Sequence, residues 1–221
     1  MQAWLDTAQD AGYAILNNVS HCDELYWYSM FDSFSKSALK VQDIYIPLKR
    51  FAEMTDRVTG SNLTLTECSL MHGMFAAVDS NRLVFALLMM FVMLHGGDPK
   101  LTEMRLDAAQ KDSKIRITLT LAAGQNGAES AAHAPVFRDS SATGCEMLLN
   151  RFCETFDASL TRNAGKDAKS CTLELPAAVL TDTTVIPLAS APAYYDGGSY
   201  TLYHVLLSPL FHAKDFPENN R

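Results

Sequence analysis

Residues 82–97 read RLVFALLMMFVMLHGG, and the twelve residues from Leu83 to Leu94 carry no polar side chain. Such a run is shorter than the roughly 20 apolar residues that cross a bilayer, and it is long for a buried strand. It follows three residues that favour helix N-caps, Asp79-Ser80-Asn81, and it stops at Gly96-Gly97. The stretch therefore predicts a helix that is apolar on every side and buried at the centre of a globular domain.

The bulk composition limits the classes of protein to consider. The chain has 221 residues, 48% hydrophobic and 19% charged, which is enough for one domain with a full core. Its formal charge of −7 and its lack of a Lys/Arg run argue against nucleic acid as a partner. Five scattered cysteines without a CxxC pair argue against a disulfide framework or a zinc site. Since no secretion signal and no membrane-inserting segment is recognised, we expect a cytoplasmic protein.

Around the central helix, the apolar spacing predicts both helices and strands. Alternating apolar residues favour strands, and recurrence every three or four residues favours helices. Residues 124–143 show neither period and predict a long loop of the kind that often binds or covers a ligand. The predicted order is helix 1–32, strand 38–46, helix 48–58, strand 63–66, the central helix, a hairpin around 104–121, the loop, helix 147–156, strands 159–160 and 171–175, and a strand over 200–207.

Three motifs in this order resemble the ATP-binding domain of sensor histidine kinases, which has the Bergerat (GHKL) fold. Asp79-Ser80-Asn81-Arg82-Leu83 resembles the D-x-x-R-L start of that family's central helix. Ile115–Gly127 resembles the strand that leads into its first glycine box. Gly144–Pro176 resembles its last glycine box, the following helix and the closing strand that ends in Leu-Pro. The resemblance implies a two-layer α/β sandwich.

The resemblance also implies a division of the chain into three parts. It covers about residues 40–176. We therefore expect an N-terminal helical segment over residues 1–37, a histidine-kinase ATPase-like domain over 38–176 and a C-terminal extension over 177–221.

The nucleotide-binding positions that the resemblance implies are altered. The family carries two asparagines on the central helix that face the nucleotide, one of them holding magnesium, and alignment from Arg82 places them at Met89 and Met93. A thioether is a poor ligand for Mg²⁺. The first glycine box lacks its aspartate and keeps Gly124 and Gly127, and the last box keeps only Gly144. These five residues mark a degenerate nucleotide pocket, so we expect no bound metal and no cofactor, and a pocket that no longer binds Mg-ATP in the usual way, or at all.

His21 is the candidate phosphoacceptor. Its surroundings, Val19-Ser20-His21-Cys22-Asp23-Glu24, faintly resemble the S-H-E core of the family's phosphorylated histidine, but the arginine, threonine and proline that normally follow are missing. A histidine on the surface of a helix is the plainer interpretation. If the chain is an enzyme at all, the resemblance favours a histidine phosphotransferase that uses His21.

Three hypotheses about function follow. The first is a non-catalytic signalling domain that binds a histidine kinase, a response regulator or, through the N-terminal helical segment, a second copy of itself. Its candidate surfaces are the aromatic residues Trp27, Tyr28 and Phe31 and the loop Gly124–Gly144. The second is a phosphotransferase that relays phosphate from His21 to a receiver domain, and a residual ATP-binding kinase domain is a further alternative to it. The third is an unrelated α/β binding module.

Overall fold

The structure, a computed structural model, describes residues 2–31, 40–124, 138–165, 167–181 and 201–211. Five α-helices, one short 3-10 helix (Gly60–Asn62) and seven strands lie within these ranges. The helices are α1 (Gln2–Phe31), α2 (Tyr45–Thr59), α3 (Ser80–His95), α4 (Arg138–Phe156) and α5 (Leu202–Leu207). The strands are β1 (Val41–Asp43), β2 (Thr64–Leu70), β3 (Phe75–Ala77), β4 (Leu101–Lys111), β5 (Lys114–Ala123), β6 (Ser159–Ala164) and β7 (Ala168–Pro176).

Five of the strands form one mixed sheet in the order β2-β4-β5-β7-β6. Strand β2 runs parallel to β4, and the other neighbours are antiparallel. The alternation in β5 places Ile115, Ile117, Leu119 and Leu121 in the core, while Arg116 remains exposed on the other face. The predicted hairpin of β4 and β5 is confirmed. Its turn uses a positive φ of 56° at Asp112.

The helices cover the apolar face of this sheet. Helix α3 packs over β5 and β7, with α2 beside it toward β2 and α4 beside it toward β6. This is the predicted two-layer α/β sandwich, preceded by a helix. Helices α1 and α5 pack against each other; α1 also contacts α4, and α5 also contacts α2 and α3. In the described ranges, no helix combines the length and the apolar character that a bilayer crossing requires.

The central helix α3 is built as its sequence predicts. The Asp79 carboxylate caps its first turn and accepts hydrogen bonds from the backbone N–H groups of Asn81 and Arg82, at 2.9 and 3.1 Å. Gly96 ends the helix in the left-handed conformation, with φ 54°, where a side chain would be strained. Every residue from Leu83 to Val92 is buried. The helix is therefore enclosed on all sides by its neighbours.

The prediction of a strand over residues 200–207 is wrong, because residues Leu202–Leu207 form helix α5. The hydroxyl of Thr201 caps this helix at the backbone N–H of His204. Five of the six residues are buried, and an apolar run that is buried on every side lacks the alternation that separates strands from helices. The short strand β3, which pairs with β1, was not predicted. The proposed boundaries after residues 37 and 176 stay predictions.

Candidate functional site

The two methionines at the expected nucleotide positions lie on one face of α3. Phe85, Met89 and Met93 are four residues apart, so they follow one another along the same side of the helix. Met89 is fully buried in the core, and Met93 is half-buried and packs against it. The thioether of Met89 therefore occupies core volume at the position where the resemblance implies an asparagine.

His21 lies next to this face, at the junction of α1, α3 and α4. Its ring meets the ring of Phe85 edge-on, with the centroids 6.2 Å apart. A Cβ atom added to Gly144 would lie 3.5 Å from the Nδ1 atom of His21. Burial lowers the pKa of His21, and no described residue hydrogen-bonds its Nε2 atom. The structure thus brings His21 and Gly144 together, and the imidazole faces the interior rather than open solvent.

The glycines of the candidate site have different local roles. Gly144 lies inside helix α4, six residues after its start, and so does not lie in a loop. Gly124 directly follows β5, where a Cβ atom would come within 2.2 Å of the Thr102 side-chain oxygen. Because the backbone approaches β4 this closely, position 124 has room only for glycine. Gly127 lies outside the described residues.

A buried ion pair, which the sequence did not predict, holds α1 against the start of α3. The guanidinium of Arg82 donates a hydrogen bond to the Glu24 carboxylate, and Glu24 is only 1% exposed. Burial raises the pKa of Glu24, and the charge of Arg82 acts in the opposite direction. The Arg82 Cζ atom also lies 4.5 Å from the centre of the Trp27 ring, within the range of a cation–π contact. The arginine of the D-x-x-R-L motif therefore binds α1.

This arrangement corrects one candidate surface. Trp27 stacks on Phe156 of α4 at 6.4 Å between ring centroids, and Tyr28 is fully buried. Tyr28 is therefore closed to a partner, and Trp27, which is partly buried, packs against the chain's own core. The side chain of Phe31 lies outside the described residues, as does most of the loop between Gly124 and Gly144.

His95, at the end of α3, is a second buried histidine and was not singled out by sequence. Its ring stacks on Phe91 and meets Phe211 edge-on, at 5.9 and 5.5 Å between centroids. Burial lowers the pKa of His95 to about 4, with a smaller opposing effect from Asp98. No described residue hydrogen-bonds its Nδ1 atom. The only sequence signal for the burial of His95 is its position directly after the apolar run Leu83–Leu94.

The two α3 positions that the resemblance assigns to the nucleotide supply no oxygen ligand for magnesium. Magnesium requires oxygen ligands in an octahedral arrangement, and the two α3 positions supply thioethers, one of them sealed in the core. Within the described ranges, no group of three or more His, Cys, Asp or Glu side chains could hold a metal ion. The chemistry available around His21 is that of a neutral imidazole packed on an aromatic ring.

Comparisons with known proteins identify relatives by structure only. No family model and no curated protein matches the sequence. Full-length ShkA, solved in complex with AMPPNP, is similar over 88% of this chain and 40% of its own, with 16% identity and a TM-score of 0.51. A histidine kinase from Burkholderia phymatum STM815 covers 81% of this chain and 99% of its own, with 13% identity and a TM-score of 0.46. The mycobacterial sensor histidine kinase MprB covers 63% and 98%, with 14% identity and a TM-score of 0.47.

The match to ShkA shows a shared fold. This chain corresponds to less than half of the length of ShkA, and identity of this order says nothing about activity. The order of elements, the mixed sheet and this match agree with the fold predicted from the sequence motifs, that of a histidine-kinase ATP-binding domain preceded by a helix.

Proposed function

We propose that this chain, which has the fold of a histidine-kinase ATP-binding domain, is a non-catalytic domain of two-component signalling that acts by binding other proteins. The observation that carries the proposal is the burial of Met89 in the core, on the helix where the resemblance implies a magnesium-binding asparagine. A scaffold that fills this position with core packing keeps the shape of the kinase domain without its magnesium ligand. Its expected partners are a histidine kinase or a response regulator.

The packing of α1 supports the same proposal. His21 lies against Gly144, the remaining glycine of the last box, and Arg82 of the D-x-x-R-L motif binds Glu24 of α1. One position that the resemblance assigns to the nucleotide pocket, Gly144, and the start of the central helix at Arg82 therefore both contact an α-helix of the same chain.

The first test is nucleotide binding, measured by thermal unfolding of the 221-residue chain with Mg-AMPPNP. ShkA, whose structure holds AMPPNP, is the positive control. A ligand present at about 100 times its Kd stabilises a protein by about 2.7 kcal/mol, which raises the Tm by several degrees. We expect such a shift for ShkA and none for this chain. A shift of several degrees here would falsify the proposal.

The second test separates the proposal from phosphotransfer. A phosphoacceptor histidine must reach the aspartate of a receiver domain, and the His21 ring instead packs between Phe85 and Gly144. We expect no label to pass from a 32P-phosphorylated receiver to the chain, assayed with the His21→Gln variant as the matched control. Acid-labile label on the wild type that is absent from His21→Gln would establish the phosphotransferase instead.

The third test looks for the partner directly. Histidine kinases and receiver domains from the same organism are immobilised singly, and binding of the chain is followed by surface plasmon resonance with and without Mg-ATP. We expect binding to at least one of them that does not depend on nucleotide. Binding that appears only with Mg-ATP would contradict a non-catalytic role. Binding to none of them would contradict the proposed partners.

A further inference from the structure

Helix α5 is a short helix that joins three others. It packs against α1, α2 and α3, and five of its six residues are buried. The Asn17 amide of α1 donates a hydrogen bond to the Val205 carbonyl of α5, at 3.1 Å. In water, isolated helices shorter than about 12–15 residues are barely stable. The helical form of α5 therefore depends on its packing against the other three helices.

The chain after α5 continues over the end of α3. Leu210 and Phe211 are partly buried and pack against the core. The Phe211 ring meets the His95 ring edge-on, and the Phe91 ring stacks on it, with centroids 5.5 and 5.9 Å from the imidazole. The His95 side chain, which is 4% exposed, therefore lies between α3 and the residues that follow α5. We name residues 201–211 the α5 segment.

The α5 segment contains a second buried histidine. His204 is fully buried, and its Nδ1 atom lies 2.7 Å from the hydroxyl oxygen of Thr201, the residue that caps the helix. Unperturbed histidine gains its positive charge between about pH 8 and pH 5. A charge enclosed in apolar packing is costly unless a partner compensates it. The packing of the α5 segment thus encloses two side chains, His95 and His204, whose protonation opposes it.

Little charge is available to stabilise a protonated His95. Burial, the largest effect, lowers the pKa of His95 to about 4, while Asp98 acts in the opposite direction and Lys169 adds to the lowering. The side chains of Asp98 and Lys169 are 3.7 Å apart, so their charges partly cancel at the ring. No described residue hydrogen-bonds the Nδ1 atom of His95. The neutral imidazole is therefore the form that fits the closed packing.

Other titratable groups lie on the elements packed against the α5 segment, but the pKa of the imidazole at the end of α3 does not depend on them. Burial raises the pKa of Tyr203, and Arg50 of α2 acts against this effect. On α1, Asp10 and Tyr13 lie on the same side as Asn17, because they precede it by seven and four residues. The segment itself contains no Asp, Glu, Lys or Arg.

We propose that acid releases the α5 segment: when His95 is protonated, residues 201–211 detach from α1, α2 and α3 while the five-stranded sheet remains folded. Detachment replaces the contact of the imidazole with Phe211 by water, which hydrates the new charge. The sheet remains because α3 packs directly on β5 and β7, whereas the α5 segment packs on the helices. Release uncovers the side of α1 that carries Asn17 and the surface of α3 around His95.

The expected size of the effect follows from the two protonation equilibria. The imidazole of His95 has a pKa of about 4 in the closed packing and 6.5 when it is exposed to water. Between these values the opened state binds more protons, so opening is favoured as the pH falls. The equilibrium constant for opening should rise about 20-fold from pH 7 to pH 5 and change little above pH 7. This inference goes beyond the proposed signalling role and does not rest on it, because release requires neither nucleotide nor a partner.

The experiment is native-state hydrogen exchange of the 221-residue chain, followed by mass spectrometry at pH 7 and pH 5 and corrected for the intrinsic effect of pH on exchange. We expect the amides of residues 201–211 to be less protected than those of β5 at both pH values. Their protection should fall about 20-fold from pH 7 to pH 5. Low concentrations of urea should speed exchange in β5 more than in the α5 segment, because local release exposes less surface than global unfolding.

The variant His95→Phe keeps an aromatic ring between α3 and the α5 segment but cannot be protonated. Its α5 segment should lose less than about threefold in protection between pH 7 and pH 5. The matched control is His21→Gln, which removes another buried histidine, at the junction of α1, α3 and α4, and should keep the wild-type fall. If circular dichroism shows that His95→Phe does not fold, His95→Leu takes its place.

A third variant tests the attachment of the segment independently of histidine. Phe211→Ala removes the ring that meets His95, so it should raise exchange of residues 201–211 about tenfold at pH 7 and leave the ratio between pH 7 and pH 5 in place. Exchange in β5 should change less than exchange in the α5 segment.

Four outcomes overturn the proposal. Equal protection and equal urea dependence in the α5 segment and in β5 would mean that the segment leaves only when the whole chain unfolds. Protection of residues 201–211 that is the same at pH 7 and pH 5 would remove the effect of acid. A His95→Phe variant that responds to acid as the wild type does, or a His21→Gln variant that no longer responds, would place the titrating group elsewhere.

Discussion

Helices α3 and α1 are both rich in apolar residues, yet they are covered in different ways. Helix α3 is buried on every side by the sheet, α2, α4 and α5. Helix α1 buries a face on which Tyr13 and Tyr28 lie beside the polar Asn17 and Glu24, and it exposes a second apolar face. The difference shows that the apolar content of a helix does not tell which side faces the core. The inward side of α1 combines packed aromatic side chains with one hydrogen bond to α5 and one ion pair to α3.

The largest predicted effect on stability comes from removing the ion pair that joins α1 and α3. Arg82→Ala leaves the Glu24 carboxylate buried and unpaired, so we expect a loss of about 3–5 kcal/mol in the free energy of unfolding in urea at pH 7. The double variant Glu24→Met/Arg82→Met is the control, because it removes both charges and keeps the volume. It should recover most of the loss. A single-variant loss under about 1 kcal/mol would mean that the pair behaves like a surface salt bridge.

The second prediction compares the two methionines of α3. Met89→Asn would bury an amide in the core and should cost about 3 kcal/mol, whereas half-buried Met93→Asn should cost about 1 kcal/mol. Urea unfolding of both variants measures the difference, and Met89→Leu, which conserves volume, should cost less than about 1.5 kcal/mol. If Met89→Asn proves as mild as Met93→Asn, position 89 has access to water, which would argue for an open pocket.

The third prediction concerns acid and His95. Its pKa is lowered to about 4 in the folded chain and is 6.5 when unfolded, so between these values the unfolded state binds more protons. Stability should therefore fall as pH falls from 7, by about 2 kcal/mol at pH 5 from this residue alone. The His95→Phe variant should lose this part of the pH dependence in unfolding titrations, while the part from His21 remains. Identical pH profiles for the variant and the wild type would contradict the burial of His95.

The smallest predicted effect is a gain in stability. Gly144→Ala should raise the free energy of unfolding by up to about 1 kcal/mol, because Gly144 lies inside α4 and its new Cβ would stand at an ordinary distance of 3.5 Å from His21. Gly12→Ala in α1, where a Cβ meets nothing within 4 Å, is the matched control. A gain at position 12 together with a loss at position 144 would show that His21 and α4 are packed more tightly than described.

The sequence predicted the helices and strands whose own apolar pattern and capping residues match the burial that they have in the fold. The unbroken apolar run, the Asp79 cap and Gly96 were sufficient for α3, and alternation was sufficient for the hairpin of β4 and β5. The motif order predicted the fold class, which the structure shares. Strand β3 has only three residues and too little pattern for detection.

The rest of the site depends on contacts between residues far apart in the chain. Trp27 and Tyr28 were a candidate partner surface, with packing on the chain's own core as an equal alternative, because α1 has apolar residues on both sides and periodicity alone cannot choose between two such faces. The choice depends on Glu24 and Arg82, which are 58 residues apart. The meeting of His21 with Gly144 likewise requires α1 and α4 to be assembled. The proposed loss of nucleotide binding stays a prediction until it is measured.

The hydrogen bond from Asn17 to Val205 joins residues that are 188 positions apart. Synthesis on the ribosome proceeds from the N-terminus, at about 5–20 residues per second. Helix α1 must therefore wait some ten seconds or more for α5 at these rates. During that time the side of α1 that carries Tyr13 and Asn17, and the α3 surface that α5 later covers, are open to water. The nascent chain is consequently expected to need a chaperone that shields apolar segments, and this need should end only once α5 has left the ribosome.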